Sequence, residues 1–448
     1  MRFSSEFIAA ALGAAGGPTG SFSEISTDTR SIQEGALFVA LVGERFDGHD
    51  HLGRARDAGA RAAVVRTGTA PIDGLHLYPV PDTLIAYGQL ARGRRSQIAG
   101  PVVAITGSNG KTSTKEMTAA ILRTRFATHA TRLNLNNLVG IPQTILAAPE
   151  GTEAMVIEAG ANMPGEIARA REIIDPSIAM ITNVAESHLE GFGSLEVVLK
   201  EKLELAAAVP LVVVGGEPPR LAVEARKVAG RTLTAGVQGA DVMPESVLSN
   251  AAGEPTFSID GVHVRLPLRG LHQVGNAMLA WALVRELGLA PAAAGAALSA
   301  LVLPGGRGDV ITSGGFTIVH DAYNANPSSF RAAIATAQAM RAGRRLVFVA
   351  GSMRELGAEA PRLHREIGER LVALAPDLLA VVGEFVPALT AGASQLGDRL
   401  LSAEDPVALG PRLAARLRGD ELIFLKASRG VALERILPYL GVSIESPH

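Results

Sequence analysis

Residues 101–113 read Pro-Val-Val-Ala-Ile-Thr-Gly-Ser-Asn-Gly-Lys-Thr-Ser, and the reading of the whole chain starts from this stretch. A β-rich run from Pro101 to Thr106 meets a glycine turn. A helix is expected at once, from Lys111 to Leu122. Strand, glycine loop and helix together make a phosphate cradle: backbone N–H groups from Gly107 to Lys111 turn towards an anion at the positive end of the helix. Lys111 adds a point charge, and the Thr112 hydroxyl suits Mg²⁺. The candidate nucleotide-binding residues are therefore Thr106, Gly107, Ser108, Asn109, Gly110, Lys111, Thr112 and Ser113. The usual loop has a glycine five places before its Gly-Lys; Ile105 stands there instead. The alternative, a Gly-Asn turn that merely precedes a lysine, needs strand, glycines, Lys and Thr to coincide by chance.

Composition narrows the class. At 448 residues the chain is too long for one core and suits three domains. It is 47% hydrophobic and 19% charged, which excludes wholesale disorder. A formal net charge of −2 gives no global field for nucleic acid. With no cysteine, disulfides, thiolate catalysis and zinc-thiolate sites are excluded. The start, Met-Arg-Phe-Ser-Ser-Glu, lacks an apolar signal core, and no apolar run nears the ~18 residues of a membrane span. A cytoplasmic protein is expected. Only six of the 42 basic residues are lysines: Lys111, Lys115, Lys200, Lys202, Lys227 and Lys426. A chain that so favours Arg marks its lysines as places where a compact, neutralisable amine is wanted.

The pattern of elements predicts α/β architecture in three parts. Residues 1–98 mix short strands and helices. Residues 99–303 alternate strands (102–106, 154–159, 178–184, 211–215) with helices, which implies a parallel sheet covered on both faces. After the break Pro304-Gly-Gly-Arg-Gly308, residues 304–448 repeat the alternation as a smaller doubly wound domain. Ligands of such sheets lie beyond the carboxyl ends of the strands, and several polar motifs fall there.

Glu158 ends the apolar strand Ala154-Met-Val-Ile-Glu158. Mg²⁺ shared with Thr112 is one partner for its charge; solvent is the other. His188 follows the next parallel strand, and Lys202 lies fourteen residues on. A neutral lysine amine can take up CO₂ and become a carbamate. Spacing alone favours a solvated helix face on which Lys200 and Lys202 pair with Glu196 and Glu204. Arg307, at the domain junction, could swing onto phosphates. Asn276 could read an adenine edge, and Asp321 could accept from a ribose.

The form T-G-S-N-G-K-T resembles the ATP loop of the Mur ligases and the folylpolyglutamate synthases. The run from His188 through Gly191-Phe-Gly193 to Lys202 is similar to the Mur ligase stretch that carries a metal-binding His and a carbamylated Lys; Lys202, not Lys200, matches by spacing. Ile25-Ser-Thr-Asp-Thr-Arg30, Leu37–Gly43 and Phe46-Asp-Gly-His49 resemble the family's uridine-nucleotide-binding domain, which marks Ser26, Thr27, Asp28, Arg30, Asp47, Gly48 and His49. Asn134–Pro142 resembles its muropeptide-facing loop, which marks Asn134, Asn136 and Asn137. Asp321-Ala-Tyr-Asn-Ala-Asn-Pro327 is the motif that discriminates between members, and the resemblance extends over nearly the whole chain.

The resemblance implies a UDP-muropeptide-binding domain (1–98), a central P-loop-type ATP-binding domain (99–303) and a C-terminal Rossmann-like domain binding nucleotide and dipeptide (304–448). It implies ATP and Mg²⁺ as cofactors, and an amide bond made through an acyl phosphate between UDP-N-acetylmuramoyl-tripeptide and D-alanyl-D-alanine. A monomer with no nucleic-acid or membrane partner is expected. Lys111, Glu158, His188, Lys202 and Arg307 become the catalytic candidates. Thr112, Glu158, His188 and carbamylated Lys202 become the metal ligands. Tyr323, Asn324, Asn326, Lys426 and Ser428 become the dipeptide site. Two departures from the family stand out: Ser352 replaces a carboxylate in Gly351-Ser-Met-Arg-Glu-Leu-Gly357, and Ala427 replaces a glycine in Lys426-Ala-Ser-Arg429. Ala427 takes positive φ less cheaply than Gly. The rival readings are another acyl-phosphate amide ligase with the same loop, a small-molecule kinase, and a catalytically silent nucleotide binder.

Overall fold

Every side chain from Val102 to Thr106 is buried, as are those of Ala154–Glu158 and Ile178–Ile181. Strands apolar on both faces belong inside a helix-covered parallel sheet. In the computed structural model, which describes residues 3–14, 16–389 and 393–442, they form its centre. The order across this six-stranded sheet is Arg231–Ala235, Leu211–Gly215, Ile178–Ile181, Val102–Thr106, Ala154–Glu158, Thr128–Ala130, all parallel. Register sets Ile181 beside Thr106 and Ile105 beside Glu158, so the polar strand ends emerge on one rim. The helix Lys111–Leu122 packs against His272–Glu286 on one face of the sheet.

A three-stranded antiparallel sheet (Ser246–Ser249, Pro255–Ile259, Val262–Arg265) lies in the same part of the chain and was not anticipated. Its last hairpin turns at Asp260-Gly261, both at positive φ. The Asp260 carboxylate accepts from Trp281 Nε1 at 2.8 Å, which ties this sheet to the long helix.

The N-terminal part carries a four-stranded parallel sheet in chain order: Ile25–Ser26, Leu37–Val39, Ala62–Arg66, His76–Val80. Its helix Thr83–Arg95 starts at Asp82, whose carboxylate accepts from Ile85 N at 2.9 Å. This helix packs on Gly140–Leu146 and Glu166–Ile174 of the central domain. Gly88 permits a close approach there: a Cβ would lie 3.0 Å from Ile173 Cδ1, so that side chain would have to give way. Arg95 donates to the Ile174 and Asp175 carbonyls at the end of that central helix.

In the C-terminal part the order is Asp309–Ser313, Phe316–Asp321, Leu422–Lys426, Leu346–Ala350, Leu378–Val382, Leu400–Ala403. All pair in parallel except the first, an antiparallel edge joined through Gly314-Gly315. Asp321 and Lys426 end adjacent strands in register and point the same way. Among the described residues, no helix is long and apolar enough to cross a membrane.

Candidate active site

The strand ends of the central and C-terminal sheets face one cleft of about 1330 Å³. Ser108–Ser113, Asn134, Asn136, Asn137, Glu158, His188, Asn276, Arg307, Asp321, Tyr323, Asn324, Lys426 and Ser428 line it. The N-terminal candidates do not line it; Ser26, Asp28 and Arg30 make one group, and Asp47 and His49 make another with Arg66. In the first, Asp28 pairs with Arg30 at 2.7 Å, and that guanidinium holds the Asp28 carboxyl down to about 2. Ser26 Oγ accepts from Asp28 N, and Thr27 lies between them. Asp47 accepts from His49 Nδ1 at 2.5 Å and from Arg66 at 3.0 Å. Gly48 is needed because a Cβ would meet the Leu41 carbonyl at 2.7 Å.

The glycines of the phosphate loop have distinct reasons. Gly110 has φ 78° and directly precedes the helix; a Cβ would meet Asn276 Oδ1 at 2.5 Å. Gly107 has φ 145°, and a Cβ would fall 1.9 Å from Thr182 Oγ1. Gly107→Ala is therefore expected to weaken ADP binding by calorimetry at least about tenfold, since the loop must shift or carry roughly 1–3 kcal/mol of strain. Unchanged affinity would contradict this account of the loop.

Neighbouring strand ends hold the loop. Ser108 Oγ donates to the Ala185 carbonyl at 3.0 Å, so it faces the loop after the neighbouring strand. Asn109 N donates to Asn183 Oδ1 at 3.0 Å, and Asn183 Nδ2 donates back to the Asn109 carbonyl. Thr106 Oγ1 is buried without a partner among the described residues, and Ser113 is buried in the first turn of the helix. Lys111 Nζ donates to the Gly107 carbonyl at 2.7 Å. Burial holds its pKa below the usual lysine value; Glu158 opposes this, and Arg307 adds to it.

Glu158 is 2% exposed, so it does not turn to solvent. Its carboxylate accepts from Thr112 Oγ1 at 2.9 Å and from Asn136 Nδ2 at 2.8 Å. A buried carboxylate costs several kcal/mol unless polar partners compensate, and these two supply them. Asn136, expected at the muropeptide, thus serves Glu158 here, while Asn137 Oδ1 accepts from Val139 N and Gly140 N.

Lys202 departs from the reading that spacing favoured. It is 1% exposed rather than on a solvated helix face, and its amine lies 5.5 Å from the Phe192 ring. Among the described residues it has no hydrogen-bond or ion-pair partner. Burial, with Lys111 nearby, pulls its pKa down to about 7, partly offset by Glu201 and Glu166. Glu201 is occupied by the Gly165 and Ile167 amides. Lys200 is exposed, and Glu196 pairs with Arg220 instead.

His188 has φ 53° and lies 2.5 Å from the Glu355 carboxylate, without hydrogen-bond alignment. Glu355 also has positive φ, 64°. Its carbonyl accepts from Glu190 N, and His188 holds its carboxyl below the usual glutamate value. Arg307 stacks on Tyr323, its guanidinium carbon 4.0 Å from the ring centre, with Nε buried and unpartnered. Asn276 Nδ2 donates to Gln273 Oε1. Lys426 pairs with Asp321 at 2.9 Å and donates to the Asn324 carbonyl at 2.7 Å. Ser428 Oγ accepts from Arg354 N. Asn326 is 3% exposed and bonds Asn109 of the phosphate loop, so in this conformation its amide serves the loop rather than an entering dipeptide.

The two family departures fit locally. Ser352 Oγ accepts from Glu384 N at 2.9 Å. Ala427 is not at positive φ, so the expected penalty is absent; its methyl packs where a Gly351 Cβ would be. Sequence reading missed Asn183, Glu355 and Arg331. For Asn183 the signal was its place directly after a parallel strand.

Three family descriptions match in succession: "Mur ligase family, catalytic domain" over 21–95, "Mur ligase middle domain" over 105–284 and "Mur ligase, glutamate ligase domain" over 306–429. The UDP-N-acetylmuramoyl-tripeptide–D-alanyl-D-alanine ligase of Bacillus subtilis is 35% identical, covering 94% of this chain and 93% of its own. That of Escherichia coli is 36% identical, covering 92% of each. The structure is similar to MurF from Acinetobacter baumannii (TM-score 0.89, 30% identity, 98% and 99% covered) and to MurF ligase from Thermotoga maritima in complex with ADP (0.83, 30%, 93% and 96%). Folylpolyglutamate synthase from Mycobacterium tuberculosis, at TM-score 0.62 and 20% identity, shares the fold alone over 81% of this chain and 95% of its own.

Proposed function

The chain belongs to the Mur ligase family, and from that membership we infer that it joins D-alanyl-D-alanine to UDP-N-acetylmuramoyl-tripeptide. The reaction is an ATP-dependent, ADP-forming step of peptidoglycan precursor synthesis. The observation that carries the reading is whole-length identity of about a third to ligases of that specificity, on a chain whose phosphate loop lies beside Glu158 and Lys202. We place the reaction in the cytoplasm and treat the enzyme as a monomer that uses neither nucleic acid nor membrane.

The tripeptide's free carboxylate attacks the γ-phosphorus of ATP, and ADP leaves. Lys111 and Arg307 bring positive charge to that transfer. The resulting acyl phosphate is attacked at carbon by the dipeptide amine; phosphate leaves, and the amine's proton passes to solvent. Thr112 and Glu158 offer hard oxygen donors of the kind Mg²⁺ prefers. Thr112 Oγ1 and the Glu158 carboxylate, 2.9 Å apart, are the side chains that would hold it. When bound, Mg²⁺ neutralises phosphate charge. Lys202, about half of it neutral amine near pH 7, can attack CO₂ to form a carbamate with loss of one proton, giving an anion close to Lys111. We assign Asp321 to the nucleotide and Tyr323, Asn324, Lys426 and Ser428 to the dipeptide. Asn134 and the two groups around Asp28 and Asp47 take the UDP-muropeptide.

The test is ADP release with UDP-N-acetylmuramoyl-tripeptide, with and without D-alanyl-D-alanine. Release should depend on the dipeptide and yield one new amide. Release indifferent to the dipeptide would remove this assignment.

A further inference from the structure

Asn109 and Asn326 are 217 positions apart, one in the phosphate loop and one at the start of the C-terminal helix Pro327–Arg341. Their amides face each other reciprocally. Asn326 Nδ2 donates to Asn109 Oδ1 at 2.8 Å, and Asn109 Nδ2 donates to Asn326 Oδ1 at 3.2 Å. Neither side can drift freely. Asn109 is held through its backbone by Asn183 and Thr182. Asn326 caps its helix: Oδ1 also accepts from Ser329 N at 2.9 Å, and Ser329 Oγ accepts from Asn326 N at 3.0 Å.

Two further contacts flank the pair across the same boundary, Glu355 against His188 and Arg331 near Glu186 at 3.6 Å. His188 and Glu355 both adopt left-handed backbone, a conformation that persists in non-glycine residues where surroundings impose it. The domain boundary is therefore specified at several points, and among the described residues the amide pair is the one that bonds the phosphate loop itself.

We propose that Asn326 is a positioning residue for the ligase reaction: its amide registers the C-terminal domain on the phosphate loop, so that nucleotide grip and dipeptide placement depend on one amide pair. The proposal rests on the ligase reading above. A two-bond amide contact has one register, because a shift along it sets donor against donor. Asn109 therefore adopts its cleft geometry together with a docked C-terminal domain, and reciprocal linkage requires each event to favour the other.

Asn326→Ser separates this role from helix capping. Serine caps as well as asparagine does, but it is too short to reach Asn109. The variant should keep the parent's melting temperature. Its KM for ATP and for D-alanyl-D-alanine should both rise about tenfold, as expected for losing two neutral hydrogen bonds. KM for the UDP-linked tripeptide should stay unchanged. Small-angle scattering with ADP should show a larger radius of gyration than the parent. In a double-mutant cycle, Asn109→Ala with Asn326→Ser should lose no more ATP affinity than the worse single variant. Parental KM values with parental scattering, or additive losses in the cycle, would overturn the proposal. If wild-type protein gives no dipeptide-dependent product, the ligase reading fails, while ADP affinity and scattering still decide the role of Asn326.

Discussion

Lys111→Ala should fold normally yet lose about 10³-fold in turnover, roughly 4 kcal/mol of transition-state stabilisation. The amine sits where a phosphate loop concentrates charge and, among the described residues, has only the Gly107 and Ser108 carbonyls as partners. These are weak claims on a cation, so the amine can turn to a triphosphate. Burial lowers its pKa, and Arg307 adds to that lowering, so the site favours an incoming anion. Fold integrity is checked by circular dichroism, ADP affinity by calorimetry and turnover by phosphate release. Undiminished nucleotide uptake and turnover would remove the loop from the mechanism.

Lys202 should show the opposite signs in stability and activity. Its amine is buried with no hydrogen bond among the described residues, and it ionises at about 7 when folded, against an ordinary 10.5. Between those values the unfolded chain holds a proton that the folded chain has released, so the site's contribution to stability rises with pH. Below pH 7 the penalty is fully present and amounts to several kcal/mol. Lys202→Met should therefore unfold at higher urea than the parent at pH 6, with the difference shrinking towards pH 10. Turnover should fall at least about 10²-fold, since the carbamate that would hold the Lys111 cation in place is lost. Short carboxylates added to Lys202→Ala should restore part of the rate by standing in for the carbamate. A methionine variant that is fully active, or less stable at pH 6, would show that the lysine is structural.

Much of this was legible because the central strands are long apolar runs and the glycine loop has a fixed mechanical purpose. Val102–Thr106 and Lys111–Leu122 fall where the residues put them. The antiparallel additions were less visible. Pro255–Ile259 alternates buried and half-buried positions over only five residues, a weak signal beside the parallel core. Yet Asp260-Gly261 and Gly314-Gly315 are two-residue hairpin turns that the chain displays openly. Lys202 was misjudged on spacing because one-dimensional pairing rules assume a free helix face. Here Phe192 and the neighbouring helices cover that face. Asn326 could not be read as a partner of Asn109, because nothing local encodes a contact across 217 positions.

The seam between the first two domains has a metrical consequence. Gly88 lets the helix Thr83–Arg95 sit directly on Ile173, and Arg94 and Arg95 bolt it to carbonyls at Ala148 and Ile174. Sliding this seam would bare apolar side chains and strand two guanidinium groups, so the span from the four-stranded sheet to the phosphate loop is set. Such a rigid span acts as a gauge. A molecule that bridged the two ends would need a length matched to that span.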